Sequence, residues 1–260
     1  MLNDNSLKNG GDHMIVKGAL EKAKLYIESH SKDSDQSRKN LKPGPCITFS
    51  RETGAGADKV GEALVEFFQP YSEANSVPWT MFDKNLIEKV LEDHHLPQKL
   101  EKYLVEDKLS ELKSTMNELF GIHPHAWILV SKTSSTIIQL AQKGNVIIVG
   151  RAANVVTARL KNTFHVRLVA PIETRIPHVE EIYNLSRKEA IEFIKKEDIA
   201  RKNYFNKYFN KNIEDPLLYH MIINTGQISY DRAARMIGLA VMEKFPEMFS
   251  FKEEKIYEMI

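Results

Sequence analysis

The segment Cys46-Ile-Thr-Phe-Ser-Arg-Glu-Thr-Gly-Ala-Gly-Ala-Asp-Lys-Val-Gly61 runs from a short apolar stretch through a glycine turn into a helical pattern. Gly54 and Gly56 lack the Cβ atoms that would block a close turn, so successive N–H groups can converge on an anion at the start of the next helix. Phosphate suits such a cradle. The full phosphate-loop pattern, G-x-x-x-x-G-K-[ST], sets a lysine on the outer phosphates and a hydroxyl on Mg²⁺. With Gly56 as its last glycine, Arg51 stands at the opening glycine, Ala57 at the lysine and Asp58 at the hydroxyl, and Lys59 comes two residues late. A Gly-Ala-Gly between strand and helix also serves as a plain tight connection in any α/β protein.

The elements that would position this turn are legible as alternating patterns. Short apolar runs predict strands over 47–50, 79–82, 146–149, 164–169 and 219–223, and helical spacing predicts helices over 59–68, 126–142, 152–160, 172–209 and 229–244. Strands that alternate with helices and read as buried runs imply a parallel sheet covered on both faces, an α/β three-layer fold. Ligands of such sheets bind beyond the carboxyl ends of the strands. The polar residues at those ends are Ser50-Arg51, Asp83, Gly150-Arg151 and Asn224-Thr225, which are therefore expected to gather at one crevice.

The chain has 260 residues, enough for one substantial core with a small second lobe. Lys plus Arg total 36 against 35 Asp plus Glu, so no large net field argues for nucleic acid or a membrane surface. The single cysteine, Cys46, can form no internal disulfide and reads as a small buried hydrophobe. No run of eighteen apolar residues and no secretory leader are seen, so a cytoplasmic location is expected. Residues 1–45 divide into a polar leader to 13, an amphipathic helix over about 14–30, and a linker ending Lys-Pro-Gly-Pro. That helix is free to pack on the core or on a second copy, giving a homo-oligomer. A domain over 46–250 and a charged tail over 251–260 complete the expected organisation.

The pattern resembles the cytidylate kinase-like branch of the P-loop nucleoside monophosphate kinases, over about residues 47–237. Ser50-Arg51-Glu52-Thr53-Gly54-Ala55-Gly56-Ala57 is similar to the branch's Ser-Arg-x-x-Gly-x-Gly-Gly loop, although Asp58 stands where an Arg is usual. Phe82-Asp83-Lys84 resembles its aromatic-Asp-Lys motif. Gly150-Arg151-Ala152-Ala153 resembles its Gly-Arg-x-Ala segment, with Ala152 in place of the Asp that would help with Mg²⁺. The run from Lys195 to Phe205 resembles its lid, in which an Asp and an Arg close over phosphates. The resemblance implies a P-loop kinase-like fold with a helical acceptor lobe over 84–125 and a lid over 172–211. It implies ATP and Mg²⁺ as cofactors, with no protein ligand for the metal identified, and nucleotides as small-molecule partners.

Phosphoryl transfer depends on positioning and on positive charge placed at the moving oxygens, and the planar guanidinium binds phosphate bidentately. Arg51, Arg151 and Arg201 are accordingly the expected catalytic residues. Ser50, Arg51, Thr53, Gly54, Ala55, Gly56, Ala57, Asp58, Lys59 and Thr225 are expected at the nucleotide. Asp83, Arg151, Arg175 and Asp198 are expected at the acceptor. Each has a plainer alternative: Asp83 as a helix cap, Arg175 in a surface ion pair with Glu173 or Glu180, Arg201 and Lys202 on a solvated helix face, and Thr225 in a turn before Gly226. His94-His95 and His123-Pro-His125 lack the further ligands zinc needs. Tyr204, Phe205, Tyr208 and Phe209 have the spacing of a helix's buried stripe. Three functions stay open: a kinase for a nucleoside monophosphate such as CMP, a non-catalytic nucleotide sensor or interaction protein on the same fold, and a kinase for another small acceptor.

Overall fold

The structure is a computed structural model that describes residue 26 and residues 44–71, 78–83 and 124–249. The leader, the linker, most of the predicted first helix, the acceptor lobe up to residue 123, His94, His95, His123 and the tail lie outside the described residues. Five strands, β1 (Cys46–Arg51), β2 (Thr80–Phe82), β3 (Val146–Val149), β4 (Thr163–Val169) and β5 (Met221–Asn224), form one sheet in the order β2-β3-β1-β4-β5. All four pairings are parallel, with Ile47 opposite both Ile147 and Phe164. The expected three-layer α/β fold is thus the one observed.

Side-chain alternation along the strands assigns the two layers. Ile47, Phe49, Ile147, Val149, Val166 and Leu168 face helix α1 (Ala57–Phe68) and the last helix, Tyr230–Lys244. Val60, Leu64 and Phe68 of α1 are fully buried there, and Phe68 stacks on Trp79 with centroids 4.2 Å apart. Each such side chain contributes on the order of 1.5–3 kcal/mol. Cys46, Phe82, Val146 and Ile148 face the other way, against Ile137, Leu140 and Ala141 of α2 (Pro124–Lys143). Tyr26, helical and fully buried, joins this second layer: its hydroxyl donates to Gly144 O at 2.5 Å, and its ring meets Phe82 edge-on. The described part of the predicted first helix therefore packs on its own chain's core. Burial pushes the Cys46 thiol pKa up, which fits an inert hydrophobe.

Two elements depart from expectation. The helix expected over 152–160 is a single turn, α3 (Ala153–Val156), because Thr157 turns out of helical geometry and its hydroxyl bonds back to Ala153 O. The helix expected over 172–209 is two helices, α4 (Ile172–Tyr183) and α5 (Arg187–Phe209). Asn184 in the left-handed region ends the first. Ser186 starts the second as a capping box, with its N–H and hydroxyl both donating to Glu189 at 2.9 and 2.5 Å. The last helix is α6 (Tyr230–Lys244).

Candidate active site

Three arginines meet where β1 and β3 end. Arg51 closes β1, and Gly150 and Arg151 follow β3, with Gly150, Arg151 and Ala152 all at positive φ (86°, 51° and 54°). Left-handed backbone at two consecutive non-glycine residues is uncommon and is held here by the surrounding packing. Arg201 descends from α5. Together Arg51, Arg151, Arg201, Glu197, Asn154 and Tyr204 line a cavity of about 230 Å³. The Arg51 guanidinium lies so close over Gly150 that a Cβ there would sit 2.1 Å from its Nη1. Burial first, and the neighbouring Arg201 charge second, lower the Arg51 pKa to about 10, against the opposing pull of Asp83 at the end of β2. It stays charged at neutral pH. Arg151 also lies over the Tyr204 ring, 5.9 Å from its centroid.

Beside this cavity the loop and the lid are tied together. Asp198 Oδ1 accepts from the Thr53 N–H at 2.8 Å and the Thr53 hydroxyl at 2.6 Å, while its Oδ2 accepts from Arg175 Nη1 at 2.7 Å. Arg201 Nη1 donates to Asp198 at 3.1 Å and to the Thr53 hydroxyl oxygen. Burial alone would raise the Asp198 pKa; the two Thr53 bonds and Arg175 outweigh it and hold the carboxylate below its ordinary range. A loop N–H that sequence reasoning reserves for phosphate thus already holds an anion, supplied by the lid.

A family model of the cytidylate kinase-like family matches residues 46–227. The chain belongs to that family. Among curated proteins, a cytidylate kinase of Thermococcus kodakarensis is 33% identical over 125 residues, 47% of this chain and 62% of the relative. A uronate isomerase of Corynebacterium glutamicum is 24% identical over 118 residues, 45% of this chain and 23% of that protein. The chain thus spans less than two thirds of either relative. A solved structure of an uncharacterized protein from Eubacterium ventriosum superposes with a TM-score of 0.54 at 20% identity, over 76% of this chain and 98% of the other, which supports the fold alone.

Against the family pattern, the crevice gathers only part of the expected set. Ser50, Arg51, Arg151 and Arg201 line it, and Asp83 stands beside Arg51. The glycine turn does not line it. A Cβ on Gly54 would lie 2.8 Å from Arg175 O and 2.9 Å from Val179 Cγ2, and one on Gly56 would strike the Tyr230 ring. Both glycines are therefore required for the close approach of α4 and α6. Ala55 and Ala57 are buried in the core at 1% and 6% exposure, so the lysine position of the loop points into packing. Asp58 sits near His178, at 3.9 Å, and Lys59 pairs with Glu62 on the exposed side of α1. Thr225 donates its hydroxyl to Ala55 O at 2.9 Å and braces the loop from behind. Arg175, buried, pairs with Asp198 and, at 3.7 Å, with Glu52 rather than with Glu173 or Glu180. With Asp198 it holds the loop side of the site through Thr53.

Sequence reasoning missed Glu52, Arg167, Asn154 and Tyr219. Glu52 accepts from the Ala170 N–H at 3.0 Å and pins the loop to the end of β4. Arg167, at 5% exposure, donates to Ser50 Oγ at 3.0 Å, and the Tyr219 hydroxyl, which donates to Ile213 O at 2.7 Å, lies 3.2 Å from the same Ser50 oxygen. The signal for Arg167 was period-two alternation in Phe164-His-Val-Arg-Leu168, which places His165 and Arg167 beside Thr48 and Ser50 on one face. Asn154 and Tyr219 carried no such signal.

Among the described residues, the carboxylates around the crevice do not form a cluster for a protein-held Mg²⁺. Asp198 and Glu197 face Arg201, Glu52 is bound to a backbone N–H, and Ala152, at 1% exposure, packs beside Phe205 and Ile213. Mg²⁺ characteristically brings substrate phosphates and waters as its ligands.

Proposed function

We propose that the chain is a nucleotide-binding phosphotransferase that passes the γ-phosphoryl group of ATP to a nucleoside monophosphate, CMP being the acceptor that its family suggests. The observation that carries this reading is the convergence of Arg51, Arg151 and Arg201 on one cavity where, among the described residues, Glu197 is the one lining carboxylate. Three guanidinium groups in a partly enclosed space repel one another, and anionic oxygens relieve that repulsion most as charge spreads in the transition state. Arg151 and Arg51 would hold the acceptor phosphate, with Asp83 at the nucleoside. Arg201 would meet the transferred group.

Asp198 gives the lid a switch. Its carboxylate holds Thr53 until nucleotide phosphate takes over the loop amide and the Arg201 guanidinium, so donor binding and lid rearrangement are one event. Chain residues then position, exclude water and neutralise charge. ATP and Mg²⁺ are the cofactors that the family implies, the ion arriving with the phosphates. The protein is proposed to act in the cytoplasm.

A second reading is a nucleotide-binding sensor without turnover. The burial of Ala57 and Ala152 favours it, since no charge stands at either family position. Calorimetric titration with ATP and CMP, followed by a coupled turnover assay with Mg²⁺, separates the two. Binding with turnover supports the kinase, and binding without turnover the sensor. ATP binding without CMP points to another small acceptor, and absence of any nucleotide binding defeats all three readings.

A further inference from the structure

A second cavity, of about 490 Å³, lies on the far side of α3, along the amino-terminal half of β4 and the segment leading into β5. Lys161, Lys211 and Lys244 line it, together with His165, His220 and Asn154, and among the described residues no carboxylate does. Among the described residues none of the three lysines pairs with an acid. Asn154, 3% exposed, keeps its Nδ2 shielded from solvent beside the Tyr219 hydroxyl. A concave site with three lysine side chains and, among the described residues, no counter-charge is built for an anion.

The proton arrangement at His220 carries the argument further. His220 Nδ1 accepts the His165 backbone N–H at 2.9 Å, so the neutral ring holds its own proton on Nε2. Lys244 Nζ stands 2.6 Å from that Nε2. An ammonium there would set N–H against N–H, so the contact is a hydrogen bond only if the lysine amine is neutral and accepts. His165 is no alternative proton source. It is neutral, its Nδ1 engaged with Thr48 Oγ1 at 2.8 Å, and its pKa is lowered to about 3, by burial first and then by His220 and Lys244. Burial also lowers the Lys244 pKa, while the Phe164 and Phe245 rings, 5.9 and 5.6 Å away, favour its charged form. What Lys244 lacks is an anion.

We propose that this cavity is a binding site for a small phosphate-bearing anion, separate from the arginine crevice, and that Lys244 takes up a proton when the anion arrives. The ammonium then leaves His220 and joins Lys161 and Lys211 on the phosphate oxygens. The inference is independent of the reading of the arginine crevice.

The test is site-resolved acetylation of lysines in the full chain, titrated with inorganic pyrophosphate, in the wild type and in Arg151→Ala. Protection of Lys161, Lys211 and Lys244 with one midpoint, unchanged by Arg151→Ala, is the expected result. Lys244→Gln should weaken protection of the other two by about tenfold, the ordinary effect of losing one charged hydrogen bond. The midpoint should also rise with pH, because the occupied form holds one proton more. Absence of protection, or protection that vanishes in Arg151→Ala, overturns the site. A midpoint independent of pH overturns the protonation of Lys244.

Discussion

The carboxylate of Asp198 and the backbone N–H of Thr53, 145 residues apart in sequence, meet at 2.8 Å. This bond joins lid to loop, and Arg175 and Arg201 on the same carboxylate make it part of a charged network rather than a lone contact.

Asp198→Ala leaves the buried Arg175 with the Thr53 carbonyl at 3.1 Å and, among the described carboxylates, the longer Glu52 contact at 3.7 Å. A loss of about 2–4 kcal/mol in denaturant unfolding is expected, since removing one partner of a largely buried pair strands the other. Because the folded pKa of Asp198 is lowered, its contribution is present above the unfolded carboxylate range and fades as pH falls through that range. Asp198→Asn should therefore flatten the acid limb of a stability profile. A mutant limb as steep as the wild type's would remove the network from the account.

Gly54→Ala is expected to destabilise more than Gly150→Ala. Both positions have positive φ, which costs alanine roughly 1 kcal/mol. At Gly54 the new methyl meets the Arg175 carbonyl, whereas at Gly150 it meets the movable end of Arg51. Gly150→Ala should instead displace Arg51 and weaken nucleotide binding. Unfolding midpoints and calorimetric affinities of the two variants check the order.

Arg151→Ala should weaken acceptor binding by about 1.5–3 kcal/mol, the usual worth of a charged hydrogen bond, with little change in stability. Lys59→Ala should change neither, since its ammonium pairs with Glu62 outside the crevice. Equal effects of the two substitutions would sink the arginine crevice as the phosphate site.

His165 is kept neutral in the fold, with its pKa lowered to about 3. Between that value and the ordinary histidine pKa of about 6.5, the unfolded chain binds a proton that the folded chain does not. Stability should accordingly fall as pH drops below about 6.5, with up to roughly 1.4 kcal/mol per pH unit from this one group. In His165→Gln that part of the slope should disappear.

Tyr26→Phe removes the bond to the Gly144 carbonyl and should cost about 1 kcal/mol, and Tyr26→Ala about 3–5 kcal/mol through the lost ring. Thermal unfolding measures both. No effect from either would return the first helix to the role of a free or partner-binding segment.

Much of the architecture was written in local pattern. Apolar runs of four to six residues bounded by Gly, Pro or Asp read as buried strands, and their alternation with helical spacing points to a covered parallel sheet. From that topology alone Ser50-Arg51, Asp83 and Gly150-Arg151 had to share one end of the sheet. The Ser186-x-x-Glu189 capping box was equally legible as a helix start, and reading it would have divided α4 from α5. What no local signal encoded was which side of the glycine turn would be free. Gly54 and Gly56 are glycine under a phosphate and equally glycine under a packed helix, and only the placement of Val179, Arg175 and Tyr230 chose the second. The same holds for Asp198, whose charge in a polar helix reads as solvated until the fold sets Thr53 against it. Sequence fixes what each segment must bury; which polar groups then find one another depends on the approach of whole elements, a property of the packed chain and of no single stretch.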